Sequence, residues 1–215
     1  MKQARIAAWT SSPSANQCII EEAVSVLRKG LLIILPTDTV YGIAADPFYP
    51  DAIKRLYKAK GRVETKPVTL LAATLLQIEQ YGAELKGAAN ELAQKYWPGP
   101  LTIVLRANNK FEGFRIPNHT IALSVIQAVG RPLRVTSANR SGEQPAVTAK
   151  RAWQTLGNTV ALVLDAGSHA GGIPSTVIKI ISGAFSILRE GAIPEAEITL
   201  ACRKLGLRPA NAVNI

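Results

Sequence analysis

Short apolar runs alternate along the chain with segments that repeat apolar residues at helical spacing, and this alternation is the feature that most constrains the fold. The run at residues 31–35 is closed by Pro36, which is typical of a short buried strand. Similar strand-like runs lie at residues 101–107, 132–138 and 159–165, and helical patterns lie at residues 17–29, 51–60 and 119–129. Interleaved strands and helices predict an α/β fold.

The last part of the chain adds an antiparallel feature to this pattern. Two apolar runs, at residues 175–181 and 185–190, are separated by Ser182 and Gly183, which predicts a β-hairpin. The sheet is therefore expected to be mixed and flanked by helices. We find no linker, and we expect an N-terminal tail at residues 1–16, one domain at 17–195, and a C-terminal helix and tail of the same domain at 196–215.

The charge balance narrows the classes of partner and site. Twenty-five basic residues against 15 acidic ones give a net charge of +10, which favours anionic partners such as nucleotides, RNA or acidic membranes. The two cysteines, Cys18 and Cys202, and the two histidines, His119 and His169, form no metal-ligand motif. No apolar run approaches the ~20 residues of a membrane span, so we expect no membrane partner and a cytoplasmic location.

A basic segment between residues 54 and 66 carries six cations against one acid, Glu64. Lys60 and Arg62 flank Gly61, so we expect both side chains to leave the helix end into a loop and to converge on a phosphate chain. The alternative is a solvated helix face whose cations lie favourably near the helix C-terminus. The charge run alone leaves both interpretations open.

Short polar side chains recur beside the predicted strands. Thr37, Asp38 and Thr39 follow the first strand, Ser137 and Asn139 follow a later one, and Ser175 precedes another. Each group alone is also what turn chemistry produces. Because ligands of α/β sheets bind beyond the carboxyl ends of strands, the repetition favours one shared polar site.

The chain contains neither GxGxxG after its first strand nor GxxxxGK[ST], so side chains would have to hold any bound nucleotide. Arg115 and Arg189 each lie beside an apolar segment and could clamp a carboxylate or a phosphate. The alternative is that each is an ordinary surface arginine.

Six blocks occur in an order that resembles one known family: PTDTVYGIAADP, LYKAKGR, KYWPGPLTIVL, TSANRSG, STVIKI and ILREG. They are similar to the YrdC/TsaC-like threonylcarbamoyl-AMP synthases in the short, single-domain form. The resemblance covers about residues 17–195, and its paired K-x-R and S-x-N signature falls on Lys60, Arg62, Ser137 and Asn139. Arg134 stands where relatives often carry a small residue, and the sequence suggests no role for it.

The resemblance implies a twisted sheet with a basic cavity that condenses L-threonine, bicarbonate or CO2, and ATP into threonylcarbamoyl-AMP and pyrophosphate. It further implies Mg²⁺ on the nucleotide without protein ligands, and a downstream complex that transfers the group to tRNA. Lys60 and Arg62 become the catalytic candidates. The residues implied to face threonine are Thr39, Arg115, Ser137 and Ser175, and those implied to face ATP are Lys60, Arg62, Lys66, Asn139, Thr148 and Arg189.

Two other functions are compatible with the same residues. The first is an RNA-binding module that uses a basic cavity for double-stranded RNA or tRNA and forms no adenylate, which the net charge of +10 fits equally well. The second is a diverged paralogue with another carbamoyl acceptor. The joint occurrence of the K-x-R, S-x-N and STV elements favours the synthase.

Overall fold

The computed structural model describes residues 4–167 and 172–210, and these residues form one eleven-stranded sheet with helices on its faces. The helices are α1 (Pro13–Arg28), α2 (Pro50–Lys60), α3 (Leu75–Gln80), α4 (Ala88–Tyr96), α5 (Thr120–Val129), α6 (Ala149–Leu156) and α7 (Glu195–Lys204). The strands are β1 (Arg5–Ala8), β2 (Ile33–Leu35), β3 (Gly42–Ala45), β4 (Thr69–Leu71), β5 (Leu101–Ala107), β6 (Lys110–Arg115), β7 (Leu133–Ser137), β8 (Leu162–Asp165), β9 (Thr176–Ile181), β10 (Ala184–Arg189) and β11 (Arg208–Pro209).

The predicted α/β class and mixed sheet are both confirmed. The strand order is β1-β8-β2-β3-β7-β4-β6-β5-β9-β10-β11, with β8 parallel to β2 and β3 antiparallel to β7. Strands β9 and β10 form the expected antiparallel hairpin around Ser182 and Gly183, both of which have positive φ angles.

Helices cover both faces of the sheet because neighbouring strand residues point to opposite sides. Ile33 of β2 packs into a core with α1 and α5, whereas the next residue, Ile34, packs into a second core with α2 and α6. A third core joins α4 and α7 to β5, β9 and β10, and Phe114 of β6 is fully buried in it. These three cores fix the strands that carry the polar site.

The predicted N-terminal tail at residues 1–16 is wrong for much of its length. Residues 5–8 form β1, which pairs in parallel with β8, and α1 begins at Pro13 with the Ser12 hydroxyl accepting from the Ala15 amide. Periodicity alone missed this part of the helix because its first turn carries no apolar stripe. Residues 1–3, residues 211–215 of the predicted C-terminal tail, and His169 lie outside the described residues.

Strands β3 and β6 were also not predicted. The β3 sequence GIAA has one large residue, Ile43, among small ones and shows no alternation, and its burial between β2 and β7 makes it a strand. The β6 sequence KFEGFR is polar at its start and is held by antiparallel pairing with β5. Within the described part of the chain, no helix combines the length and apolar character needed to cross a membrane.

Candidate functional site

A polar cavity of about 140 Å³ lies over one face of the sheet. Its polar lining comes from loops and strands that are far apart in the sequence: Thr37, Thr39, Arg62, Thr69, Thr102, Arg115, Thr136, Ser137, Ser175 and Arg189. Six of the ten predicted site residues therefore meet here: Thr39, Arg62, Arg115, Ser137, Ser175 and Arg189. The other four, Lys60, Lys66, Asn139 and Thr148, lie outside this lining.

The cavity lies across the sheet and is not confined to the edge where strands end. Ser137 ends β7, as expected, but Ser175 precedes β9 and Arg115 ends β6, which runs antiparallel to β5. The loop after β2 crosses the sheet face, because Thr39 contacts Arg115 on a strand four positions away in the sheet order. The expectation of one shared strand edge is thus replaced by a shared sheet face.

Arg115 is the most completely held side chain of the cavity. It is 5% exposed, and its Nε donates to the Gly99 carbonyl at 2.9 Å. Its Nη1 donates to the Thr39 hydroxyl at 3.0 Å, and its Nη2 pairs with Asp38 at 2.5 Å. Burial lowers the pKa of Arg115, and the Asp38 carboxylate opposes that shift. Two of its five N–H donors remain available to a ligand.

Hydroxyl groups form pairs on two sides of the cavity. The Thr37 and Thr39 hydroxyls lie 3.0 Å apart, and the Thr102 and Ser175 hydroxyls lie 2.8 Å apart, both pairs being buried. Sequence reasoning did not select Thr102. Its only signal was a threonine inside the otherwise apolar start of β5. The pairs present short, rigid hydrogen-bonding groups that lose little side-chain freedom when a ligand binds.

Arg189 faces the same space as Arg115. Its Nε and Nη2 donate to the Ser175 carbonyl at 3.1 and 2.7 Å, and Nη2 also reaches the Ser175 hydroxyl at 3.1 Å. Burial lowers the pKa of Arg189, and the positive charges of Arg115 and Arg62 lower it further. Three guanidinium groups and the single carboxylate of Asp38 leave this cavity with a net positive charge suited to an anionic ligand.

Lys60 lies behind the cavity and not in a loop, which corrects the expectation that it would project freely. It is 2% exposed, and its Nζ donates to the Ser137 and Asn139 carbonyls at 2.6 Å each and to Asn139 Oδ1 at 3.2 Å. Burial lowers the pKa of Lys60 to about 8; the Arg62 charge also lowers it, and Glu143 raises it. All three ammonium donors are used to hold the turn after β7.

The remaining predicted residues are tied to local structure. The Asn139 amide donates to the Arg140 and Glu143 carbonyls at 2.8 and 2.7 Å, so it closes its own turn. Thr148, which the resemblance implies to face ATP, is the N-cap of α6, with its hydroxyl accepting from the Arg151 amide at 3.1 Å.

The segment after α2 carries the two other cations. Gly61 adopts the left-handed conformation with φ 57°, which ends the helix and turns the chain. Arg62 is half-buried at the cavity, and its Nη2 donates to the Pro67 carbonyl at 2.9 Å. Lys66 is exposed on the same segment.

Comparisons with known proteins identify similar sequences and structures. The family model Sua5/YciO/YrdC, described as telomere recombination, matches residues 25–191. A protein named threonylcarbamoyl-AMP synthase from Pyrococcus abyssi is 32% identical over 89% of this chain, which spans 59% of that relative. A protein named putative threonylcarbamoyl-AMP synthase from Mycobacterium tuberculosis is 35% identical, with 87% of this chain and 91% of the relative covered.

Solved structures show the same fold. The structure of Pyrococcus abyssi Sua5 complexed with L-threonine matches with a TM-score of 0.86 and 30% identity, covering 99% of this chain and 64% of that one. Escherichia coli YciO matches with a TM-score of 0.78 at 24% identity, which supports the fold alone. The family model matches most of this chain, and the chain therefore belongs to the Sua5/YciO/YrdC family.

Proposed function

We propose that this protein is an L-threonylcarbamoyladenylate synthase, a nucleotidyltransferase that converts L-threonine, bicarbonate and ATP into threonylcarbamoyl-AMP, pyrophosphate and water. The observation that carries the proposal is the cavity itself, whose three guanidinium groups and paired hydroxyls suit a small zwitterion beside a polyphosphate. The names of relatives that are 30–35% identical point to the same reaction.

The small size of the cavity suits the amino acid. Its volume of about 140 Å³ is below the ~300 Å³ at which pockets for drug-sized ligands begin, so it suits a ligand the size of threonine. The two remaining N–H donors of Arg115 are suited to the threonine carboxylate. Thr39, Ser137 and Ser175, to which we add Thr102, supply hydroxyls for its polar groups.

ATP would extend beyond the cavity, with its phosphates near Arg62 and Arg189 of the lining. Lys66, exposed on the segment of Arg62, can reach the phosphates from the rim. Lys60 and Asn139 contribute from behind by holding the turn that carries Ser137. The Thr148 hydroxyl already caps α6, so we assign Thr148 to the wall that bounds the nucleotide.

The reaction requires charge neutralisation and alignment. The threonine amine attacks bicarbonate to form the carbamate and water. A carbamate oxygen then attacks the α-phosphorus, and the bond to the leaving pyrophosphate breaks. Negative charge grows on the α-phosphate and the pyrophosphate, where Arg62 and Arg189 lie closest, with Lys60 and Lys66 adding to the positive field. No side chain is assigned here as a general base.

Mg²⁺ is proposed to arrive with the nucleotide. Among residues 4–167 and 172–210, no group of three or more metal-ligating side chains occurs, and Asp38 in the cavity is already paired with Arg115. Such a site fits an ion held mainly by phosphate oxygens and water, where it would neutralise charge on the triphosphate.

The product implies partners beyond the three substrates. Threonylcarbamoyl-AMP is a mixed anhydride, so a transferase complex that passes its acyl group to tRNA is the proposed consumer. A cytoplasmic location fits the free cysteines Cys18 and Cys202. The net charge of +10 also favours direct contact with tRNA or double-stranded RNA, and an RNA-binding module without synthase activity is the second candidate.

Mass spectrometry of the products tests the proposal. Purified protein with L-threonine, bicarbonate, ATP and Mg²⁺ should form threonylcarbamoyl-AMP, and omitting any of the three substrates should abolish the signal. L-serine in place of L-threonine separates the synthase from a paralogue with another acceptor. If the complete mixture yields no adenylate while a duplex RNA binds with a salt slope that falls when the exposed lysine of the segment is removed in Lys66→Ala, the second candidate replaces the first.

A further inference from the structure

A partly buried ion pair lies on the sheet face opposite the cavity. Arg134 of β7 and Glu112 of β6 make two bonds of 2.7 Å each, and their side chains are 16% and 17% exposed. Arg134 and Glu112 both line a separate hollow and neither lines the cavity, whereas the neighbouring Val135 does, which agrees with the alternation of side chains along a strand. The strand between the two partners is β4, because the sheet order here is β7-β4-β6.

The pair also contacts the chain where it enters β4. Arg134 Nη1 donates to the Val68 carbonyl at 2.7 Å, and Val68 directly precedes β4. Residues 61–68, which we call the Arg62 segment, run from the end of α2 to this point. The guanidinium therefore joins both neighbouring strands to the last residue of that segment, and the bidentate geometry fixes its orientation.

Val68 is buried in the second core, but the rest of the Arg62 segment has few other constraints. A hollow of about 260 Å³, lined in part by Tyr57, Glu64 and Arg134, lies behind it, while Pro67 and Val68 also line the cavity on its front. Val63 is 60% exposed, so the segment has little apolar packing there. Its other tethers to side chains are the bonds from the Tyr57 hydroxyl to the Lys66 carbonyl and from Arg62 to the Pro67 carbonyl.

We propose that Arg134 and Glu112 form a clamp that fixes the Arg62 segment and so positions Arg62 over the nucleotide side of the cavity. Both are positioning residues, since their side chains lie on the opposite sheet face from the cavity lining. The kinetic consequence rests on the proposed synthase function, but the effect on the segment itself does not.

Hydrogen exchange tests the clamp without a measurement of enzyme activity. In Arg134→Met, the hydrogen-bonded amides of the segment, those of Arg62 and Lys66, should exchange about tenfold faster or more, because the segment opens locally. Amides of β2 and α5 should keep the wild-type rates. Arg106→Met, which alters an exposed strand arginine of β5, is the matched control and should leave residues 62–67 unchanged. If the amides of Arg62 and Lys66 exchange at the wild-type rate in Arg134→Met, the proposed clamp is wrong.

Kinetics then tests the consequence for Arg62. Arg134→Met should raise the KM for ATP about tenfold, within the ~100-fold that small misplacements cost, while the Kd of threonine changes less than twofold. Arg134→Lys keeps the charge but loses the bidentate pair, so it should restore only part of the ATP affinity. An equal loss of threonine affinity would indicate a general structural role and contradict the inference.

Glu112→Gln keeps the shape of the partner and covers the case in which Arg134→Met does not fold. It should accelerate exchange in residues 62–67 in the same direction, by a smaller factor, and unchanged exchange would count against the clamp. If the wild-type protein forms no threonylcarbamoyl-AMP, the proposed function fails and the exchange result still decides the clamp. If the wild type is active and exchange in both variants is unchanged, only the clamp fails.

Discussion

Lys60 and Arg62 are two residues apart and of the same charge, yet they lie in opposite environments. Lys60 is 2% exposed, and its ammonium group donates hydrogen bonds to the carbonyl oxygens of Ser137 and Asn139. Arg62 is half-buried, keeps one bond to the Pro67 carbonyl and faces the cavity. The difference shows that one cation of the motif holds the fold while the other faces the cavity.

Gly61 produces this division. Its left-handed conformation ends α2, so Lys60 stays on the buried side of the last turn while the chain turns outward at Arg62. The Lys60 carbonyl also accepts from the Ser141 amide at 2.9 Å, which ties the helix end to the turn after β7. We therefore expect that removing Lys60 lowers mainly stability and that removing Arg62 lowers mainly activity.

The largest effect is expected for Lys60→Met. This change leaves two buried carbonyls without their donor and should lower the free energy of unfolding by about 3 kcal/mol, with loss of synthase activity as well. Chemical denaturation measures the first effect. Lys58→Met, an exposed lysine of the same helix, is the control and should change stability by less than ~0.5 kcal/mol. A stable Lys60→Met protein would remove the distinction between the two cations.

Arg62→Ala should give the opposite profile. Removing one donor from a developing charge costs about 2.7–4 kcal/mol of barrier, so we expect a 10²–10³-fold lower rate of threonylcarbamoyl-AMP formation. The free energy of unfolding should change by less than about 0.5 kcal/mol, because a half-exposed side chain with one hydrogen bond contributes little to stability. Parallel rate and denaturation measurements check both; a large loss of stability would make Arg62 a second structural cation.

A smaller effect is expected on the threonine side of the cavity. Thr102→Val removes the hydroxyl that lies 2.8 Å from Ser175 while preserving the shape of the side chain. The loss of one buried hydrogen bond, worth about 1 kcal/mol, should weaken threonine binding about fivefold. Calorimetric titration with L-threonine measures it, and the KM for ATP should stay within twofold. A larger change for ATP than for threonine would misplace the two subsites.

The last prediction concerns stability alone and is a dependence of the unfolding free energy on pH. Burial lowers the pKa of Lys60 to about 8, so between pH 8 and 10.5 the unfolded chain binds a proton that the folded chain has released. Stability should therefore rise with pH over this window, by up to ~1.4 kcal/mol per pH unit from this group. The difference in unfolding free energy between wild type and Lys60→Met isolates the term. A difference that falls with pH would mean that the carbonyl oxygens hold the proton more strongly than burial repels it.

The sequence was sufficient for the parts of the fold that depend on local pattern. Helix α5, the β9–β10 hairpin and the Thr148 cap each follow from a few neighbouring residues. Strand β3 could not be predicted in this way, because Gly42–Ala45 is a strand only through its pairing with β2 and β7.

The site residues also differ in whether local sequence pattern reveals them. The polar residues Thr39, Ser137 and Ser175 could be found because each lies next to an apolar strand. The burial of Lys60 depends on Asn139, 79 residues later, and the Arg134 pair depends on Glu112, so neither could be inferred from sequence neighbours. Thr102 was hidden because its strand reads as apolar.

Thermal stabilisation by threonine, with and without ATP, tests most directly whether Lys60 holds the fold while Arg62 binds the nucleotide. Wild-type protein should melt at a higher temperature with L-threonine and higher again when ATP and Mg²⁺ are added. Arg62→Ala should keep the threonine-dependent increase and lose most of the further increase with ATP. Absence of a threonine effect in the wild type, or loss of both effects in Arg62→Ala, would contradict the account.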